Sequence, residues 1–151
     1  MERLAKEGKN CIKFPKMLKG EGGYNFSYSG LKTAVINYVH NKEQLGEEIP
    51  RADIACSFQS AALDILIEKA VQAAKEYALN TITVGGGVAA NGYLREGLKK
   101  ACEKNKLKLV LPEKILCTDN AAMIGAEGYL RYSNGEFADL TLNAKARVEL
   151  K

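Results

Sequence analysis

One stretch, "TITVGGGVAANGYLREGL" from Thr81 to Leu98, constrains the fold of this chain more than any other. It begins with the strand-like run 81–84, continues with three glycines, and then takes on a helical pattern. A strand that passes through a glycine turn into a helix brings backbone N–H groups and a helix N-terminus together at the C-terminal end of the strand. Open α/β sheets bind their ligands at that end.

The three glycines are Gly85, Gly86 and Gly87. Because glycine has no Cβ atom, the backbone there can come close to a phosphate or an adenosine. A tight turn would account for one glycine, whereas three in a row favour a nucleotide or phosphate site. The turn is not a P-loop, because no G-K-[ST] follows. "GGGVAA" fits the dinucleotide pattern G-x-G-x-x-A, but the first acidic residue after the next strand, Glu113, comes too late for that pattern.

Asn91 stands at the start of the helix that follows the glycines. Asparagine is a common N-cap, and a carboxamide at this place could also reach a bound sugar or phosphate. The two interpretations are compatible, because a capping side chain already lies beside the expected ligand. Arg95 falls one turn later, and we interpret it as a solvated surface arginine.

The order of the remaining elements predicts an α/β fold with parallel strands. Tyr24, Phe26 and Tyr28 alternate with polar residues as in a short strand, Ser29 can cap the next helix, and Pro50 can begin a long one. The predicted elements are a strand at 24–28, a helix that carries Leu31, Val35, Ile36 and Val39, a helix at 53–79, a strand at 81–84, a helix at 91–105, a strand at 107–112 and a helix at 119–132.

Composition excludes several classes of protein. Of the 151 residues, 46% are hydrophobic and 26% are charged, as in a globular domain, and no run of about 18 apolar residues could span a membrane. None of the four cysteines forms a C-x-x-C pair, which argues against structural zinc and a disulfide framework. The net charge of +4 permits an anionic partner such as a nucleotide or RNA without requiring one.

A second motif, "CTDNAAMIG", places Thr118 and Asp119 before the last predicted helix. Either residue could cap the helix, and a carboxylate there could instead hold a cation beside a nucleotide's phosphates. The pattern alone favours capping.

Two other patterns give weaker evidence about function. Ser29 and Lys32 form the S-x-x-K pair of β-lactamases, but the S-D-N and K-T-G motifs of those enzymes are absent from the sequence. A group of lysines near the third long helix favours a solvated face over RNA contact, and its members are Lys99, Lys100, Lys104, Lys106 and Lys108.

Four segments together resemble a known family. They are "FSYSGLKTAV", "RADIACSFQSAALDIL", "VGGGVAANGYLRE" and "CTDNAAMIGAEGYLRY". In this order, between about residues 22 and 135, they are similar to the universal tRNA threonylcarbamoyladenosine transferases, formerly described as O-sialoglycoprotein endopeptidases or glycoproteases. Four motifs in register make the resemblance specific.

The resemblance implies the actin-like ATPase fold, which is ribonuclease H-like, with a mixed sheet and flanking helices in each of two lobes. The chain looks like the C-terminal lobe, a single domain over 1–151 with a peripheral segment at 1–20 and an extended tail at 136–151. The family transfers a threonylcarbamoyl group from its adenylate to the tRNA adenine next to the anticodon. Gly85–Gly87 would then bind ATP or the acyl-adenylate.

The resemblance also implies roles for two side chains. Asn91 matches the substrate-binding asparagine of the family's "GGVxAN" motif, and Asp119 matches the metal-binding aspartate of "TDNxAMI". The metal would be iron, zinc or magnesium. The family's other metal ligands form an H-x-x-x-H motif in the N-terminal lobe, whereas His40 is the only histidine here and is expected on a helix surface.

We therefore expect this chain alone to lack a complete metal site, half of the nucleotide cleft and the acyltransferase activity. The implied partners are the missing N-terminal lobe, tRNA and the helper proteins of the modification complex, in the cytoplasm and away from membranes. The isolated lobe is expected to self-associate. The alternatives are a carbohydrate kinase lobe, against which "SGLKT" and "TDNAAMIG" argue, and a non-catalytic lobe that binds a partner. The protease interpretation lacks an H-E-x-x-H motif.

Overall fold

The computed structural model describes residues 1–16 and 23–144. Five α-helices and two strands follow one another in these ranges. The helices are α1 (Glu2–Ala5), α2 (Ser29–Gln44), α3 (Arg51–Glu76), α4 (Gly92–Lys104) and α5 (Ala121–Ser133), and the strands are β1 (Thr81–Thr83) and β2 (Lys108–Val110). Two short 3₁₀ turns, Gly87–Ala90 and Lys114–Leu116, follow the two strands.

The chain divides into two compact units, Met1–Thr118 and Asp119–Lys151. The first unit holds α1 to α4 and a parallel pair of strands, in which Ile82 lies opposite Leu109. Helix α4 connects the two strands, as parallel pairing requires. The predicted α/β class with parallel strands and flanking helices is confirmed. The 3₁₀ turns after β1 and β2 contact each other, so both lie at the carboxyl edge of the sheet.

Helix α3 is the centre of the first unit. One of its faces packs against α4 through Leu63, Leu94 and Leu98, and Ala61 and Ala62 on another face form a second cluster with Leu31 of α2. The helices are so close that a Cβ on Gly97 would clash with the side chain of Ile67 in its present position.

The N-terminal residues pack onto this core. Helix α1 lies against α3 and buries Ala5. The backbone N–H of Lys9 donates to Asp53 of α3 at 2.7 Å, and that of Ile12 donates to Ser57 at 3.1 Å. Residues 17–20 of the predicted peripheral segment lie outside the described residues.

The strand predicted at 24–28 is wrong, because this segment has no strand assignment. A strand needs a hydrogen-bonded neighbour, and the described residues supply none at this place. The segment is held instead by the buried Lys69, whose Nζ donates to the carbonyl oxygens of Gly23 at 3.2 Å and Asn25 at 2.8 Å. Alternation of aromatic and polar residues was therefore not sufficient to specify a strand.

The predicted cap of α2 is also wrong. The N-cap is Tyr28, which makes no side-chain capping hydrogen bond, and Ser29 is the first residue of the helix. The long helix does begin after Pro50, as predicted, and ends at Glu76 rather than Leu79. Helix ends depend on tertiary packing and are the least certain part of a sequence prediction.

The second unit contains α5, the two residues before it and the residues after it. No residue of α5 is buried among the described residues, although the helix carries Met123, Ile124, Tyr129 and Leu130. Residues 136–144 contain a turn and no helix or strand, and 145–151 of the predicted tail lie outside the described residues.

Two expectations from composition can be compared with the described residues. None of their helices is both long and apolar enough to cross a membrane. The four cysteines are free thiols, and two of them, Cys102 and Cys117, are buried.

Candidate functional site

The glycine turn is open to solvent. Gly85, Gly86 and Gly87 are all exposed, and among the described residues no atom lies within 4 Å of a Cβ built on any of them. Only Gly86 has a positive φ, at 83°, which an L side chain rarely adopts. The fold of the described residues therefore explains one glycine of the three. Close approach of a ligand or of another polypeptide would explain the other two.

Asn91 is the N-cap of α4, as predicted. Its side-chain oxygen Oδ1 accepts a hydrogen bond of 3.0 Å from the backbone N–H of Leu94, and its Nδ2 donates to Gln59 Oε1 at 2.9 Å. Gln59 is buried in α3. These two bonds fix the carboxamide in one orientation while leaving Asn91 partly exposed. Its role in binding a substrate stays a prediction.

Glu2 is a site residue that no sequence pattern indicated. The backbone N–H of Gly92, the first residue of α4, donates to Glu2 Oε1 at 3.0 Å. A carboxylate is favourable here, because a helix N-terminus carries unpaired N–H groups and partial positive charge. The contact joins residues 90 positions apart in sequence, so no local pattern could have indicated it.

A cavity of about 660 Å³ opens beside the start of α4. Its volume lies in the range of small-molecule sites. Its wall includes Glu2, Gln59, Gly92, Tyr93, Arg95 and Lys114. Two partners of the α4 cap, Glu2 and Gln59, thus face the same space, whereas Gly85–Gly87 are not part of this wall.

Tyr93 joins α4 to α3 at one side of this cavity. Its hydroxyl donates to Asp64 Oδ1 at 2.8 Å and lies 2.7 Å from Ser60 Oγ. Burial raises the pKa of the Tyr93 phenol, and the Asp64 carboxylate raises it further, while the hydrogen bond with Ser60 acts in the opposite direction. The phenol is therefore neutral at physiological pH and serves as a bridge between the helices.

The interpretation of Arg95 as a solvated surface residue is wrong. Its side chain is half-buried, and its guanidinium donates to the carbonyl oxygens of Ala89 and Pro112, each at 3.0 Å. Side chains in a helix point toward its N-terminus, so an arginine one turn into α4 can reach back to the 3₁₀ turn before it.

Asp119 belongs to the second unit and is exposed. It is not the cap of α5, contrary to the interpretation from the pattern alone. That position is taken by Asn120, whose Oδ1 accepts a 3.0 Å hydrogen bond from the backbone N–H of Met123. Thr118, Asp119 and Asn120 are all capping residue types, so the sequence could not decide among them.

The described residues contain no group of three histidine, cysteine, aspartate or glutamate side chains that could hold a metal ion. Asp119 by itself does not fit a tightly held transition metal, which needs three or four protein ligands. Its role as a metal ligand stays a prediction. His40 is exposed on α2, as expected, and all five lysines of the predicted basic face are exposed.

The family model and the curated relatives that match this chain carry the same name. The family model described as tRNA N6-adenosine threonylcarbamoyltransferase matches residues 1–126. Curated proteins of that name from Staphylococcus aureus strains JH9, Newman and COL are each 45% identical to this chain over 151 residues. Each match covers 100% of this chain and 44% of the relative, so the chain spans less than half the length of the curated relatives it matches.

Proposed function

Because this chain belongs to the tRNA N6-adenosine threonylcarbamoyltransferase family, we propose that it is the C-terminal, substrate-binding lobe of such an enzyme. The complete enzyme would transfer a threonylcarbamoyl group from threonylcarbamoyl-adenylate to the tRNA adenine next to the anticodon. The lobe would have the actin-like ATPase fold, in which a second lobe closes over the nucleotide. The small parallel sheet and its flanking helices are compatible with that fold.

The observation that carries this proposal is the exposed glycine turn at the carboxyl edge of the sheet. Gly85 and Gly87 have neither a positive φ nor a neighbour that excludes a Cβ atom in the described structure. A nucleotide that lies against the backbone supplies the missing reason for both glycines.

The electrostatics of the α4 N-terminus indicate which part of the adenylate this lobe would hold. The Glu2 carboxylate already accepts from the first N–H of the helix. A phosphate at the same place would meet that negative charge, whereas ribose hydroxyl groups could donate to it. We therefore assign the cavity beside α4 to the nucleoside portion of the ligand, with the phosphate and acyl groups outside it.

The metal, whether iron, zinc or magnesium, would need ligands from outside this chain in addition to Asp119. A divalent ion in such a site would polarise the acyl-adenylate. Because the described residues contain only one of the expected ligands, the chain by itself is expected to bind metal weakly and to be inactive.

The remaining partners follow from the same proposal. They are the N-terminal part of the relatives, tRNA, and helper proteins, acting together in the cytoplasm. The apolar side chains exposed on α5 would contact a partner in the assembled enzyme, so the isolated chain is expected to self-associate. A strictly monomeric chain in sedimentation at high concentration would contradict that expectation.

The test is transfer of the threonylcarbamoyl group to tRNA by the full-length polypeptide, followed by mass spectrometry of the tRNA nucleosides. We expect modified adenosine with the wild type, loss of product with Asp119→Ala, and wild-type yield with Asp139→Ala, an exposed aspartate in the tail.

Asn91→Ala should weaken acyl-adenylate binding by about 1–3 kcal/mol, the cost of a lost buried hydrogen bond. Phosphorylation of a sugar without transfer to tRNA would favour the carbohydrate kinase alternative. Peptidase activity lost in Asp119→Ala would favour the protease alternative.

A further inference from the structure

Arg95 makes an unusual set of contacts for a residue near a helix start. One guanidinium nitrogen, Nη1, donates to the carbonyl of Ala89, and the other, Nη2, donates to the carbonyl of Pro112. Nη1 also lies 3.9 Å from the sulfur of the buried Cys117. All three partners lie outside α4, in the segments that follow β1 and β2.

These two segments are the loops at the carboxyl edge of the sheet. Ala89 belongs to the 3₁₀ turn Gly87–Ala90, between the glycines and Asn91, and is 1% exposed. Pro112 lies between β2 and the second 3₁₀ turn, Lys114–Leu116. One planar guanidinium therefore ties together the two loops that end the parallel strands.

The geometry of the contact favours arginine. Ala89 is 1% exposed, so its carbonyl depends on a donor from the protein, and the Pro112 carbonyl belongs to a half-buried residue. The guanidinium presents its N–H groups in a rigid fork, whereas a lysine ammonium is a point charge on a flexible stem. Lysine at this position could serve one carbonyl or the other, but it would not hold both in a fixed relation.

The two hydrogen bonds of Arg95 hold the main chain of the site. Ala89 is two residues before Asn91, and the N–H of Asn91 donates to Val88 within the same turn at 3.0 Å. Loss of the bond to Ala89 would loosen this turn, and with it the position of the Asn91 backbone and the exit of the chain from the glycines. Arg95 also lines the cavity assigned above to the nucleoside.

We infer that Arg95 is a positioning residue, which holds the glycine turn and the loop after β2 in the arrangement that binds the adenylate. This inference rests on the proposed function for the identity of the ligand. The hydrogen bonds by which Arg95 connects the two loops are independent of that function.

The first measurement is amide hydrogen exchange on the chain, for the wild type, Arg95→Ala, Arg95→Lys and the control Arg51→Ala, an exposed arginine at the start of α3. We expect Arg95→Ala to raise exchange about 10-fold in 86–91 and in 113–117 while α3 keeps its protection. Arg95→Lys should loosen the two segments less, and Arg51→Ala should match the wild type. An equal increase in exchange rate along the whole chain, or no increase in the two segments, would show that Arg95 does not hold the two loops together.

The second measurement is the steady-state kinetics of the full-length polypeptide with threonylcarbamoyl-adenylate and tRNA. Arg95→Ala should raise KM for the adenylate about 10-fold and change kcat by less than about 3-fold, with partial rescue by Arg95→Lys. A purely structural residue would lower kcat through loss of folded enzyme and leave KM unchanged, which would contradict a positioning role. If the wild type transfers nothing, the proposed function fails, and the exchange pattern still decides whether Arg95 ties the loops.

Discussion

Helices α4 and α5 each have 13 residues and begin in the same way. Each is preceded by an asparagine whose Oδ1 accepts a 3.0 Å hydrogen bond from the backbone N–H three positions later. Helix α4 buries Leu94, Leu98 and Cys102, whereas α5 buries none of its residues among those described. The same local cap therefore begins each helix, whereas the surroundings determine what the helix contributes to stability.

The same difference in packing between α4 and α5 distinguishes the two predicted site residues, Asn91 and Asp119. Asn91 is held by a second bond to the buried Gln59, which lines the cavity beside α4. Asp119 is exposed, next to the cap of a helix that is apolar on most of its surface. A helix of that composition is normally covered. In the proposed enzyme the N-terminal part of the polypeptide would cover α5 and would supply the other ligands around Asp119.

The largest expected effect comes from removing one leucine from each helix. Leu98→Ala should lower the free energy of unfolding by about 2–5 kcal/mol, because Leu98 is buried against Leu63 and Leu94. The matched variant Leu130→Ala should change it by less than about 0.5 kcal/mol, since Leu130 is 58% exposed. Urea unfolding of the chain measures both. Equal losses in the two variants would show that α5 is packed in the chain itself.

A smaller difference is expected between the two caps. Asn120→Ala should cost about 1 kcal/mol, the usual value of an N-cap hydrogen bond. Asn91→Ala should cost about 2–3 kcal/mol, because it removes the cap and also leaves the buried Oε1 of Gln59 without its donor. The double variant Asn91→Ala, Gln59→Leu, which removes both polar partners, should recover part of that loss. Unfolding energies that fall equally for the two single variants would argue against a structural role for the Gln59 bond.

The smallest effect concerns pH. A raised pKa means that folded Tyr93 keeps its proton at a pH where the unfolded chain, with its ordinary value near 10, has lost it. The folded state then binds more protons, so stability is full below pH 10 and falls as pH rises through the raised pKa. Tyr93→Phe should reduce this slope by up to one proton and cost about 1 kcal/mol at pH 7. Tyr129→Phe, which removes an exposed phenol from α5, is the matched control in urea unfolding between pH 7 and 11. A slope unchanged in Tyr93→Phe would contradict the assignment.

Features set by neighbouring residues could be predicted from the sequence. The β-branched run, the glycines and Asn91 correctly indicated β1, the turn and the capped helix α4. The stability of each of these elements depends on residues that are close together in sequence, so the pattern of residue types is enough to predict them. The α/β class followed from the order of such segments.

Features set by distant residues could not be predicted in this way. The strand at 24–28 failed because pairing needs a neighbour that the described residues do not provide. The site contacts of Glu2 with Gly92 and of Arg95 with Pro112 depend on how α1, α4 and the loop after β2 pack together. No periodicity or motif encodes such distances, so the sequence alone predicts a surface position for Arg95.

The most direct test of the proposed ligand site is substitution of the two glycines that the described fold does not require. Gly85→Ala and Gly87→Ala should leave the unfolding energy of the chain within about 1 kcal/mol of the wild type, because neither position has a positive φ or a close neighbour. Gly86→Ala, at φ 83°, is the control that should destabilise the turn itself. In the full-length polypeptide, both Gly85→Ala and Gly87→Ala should weaken binding of threonylcarbamoyl-adenylate at least about 10-fold, measured by calorimetry, because a methyl group would stand where the ligand meets the backbone. Wild-type affinity in both variants would mean that the glycines form only a turn, and would contradict the proposed site.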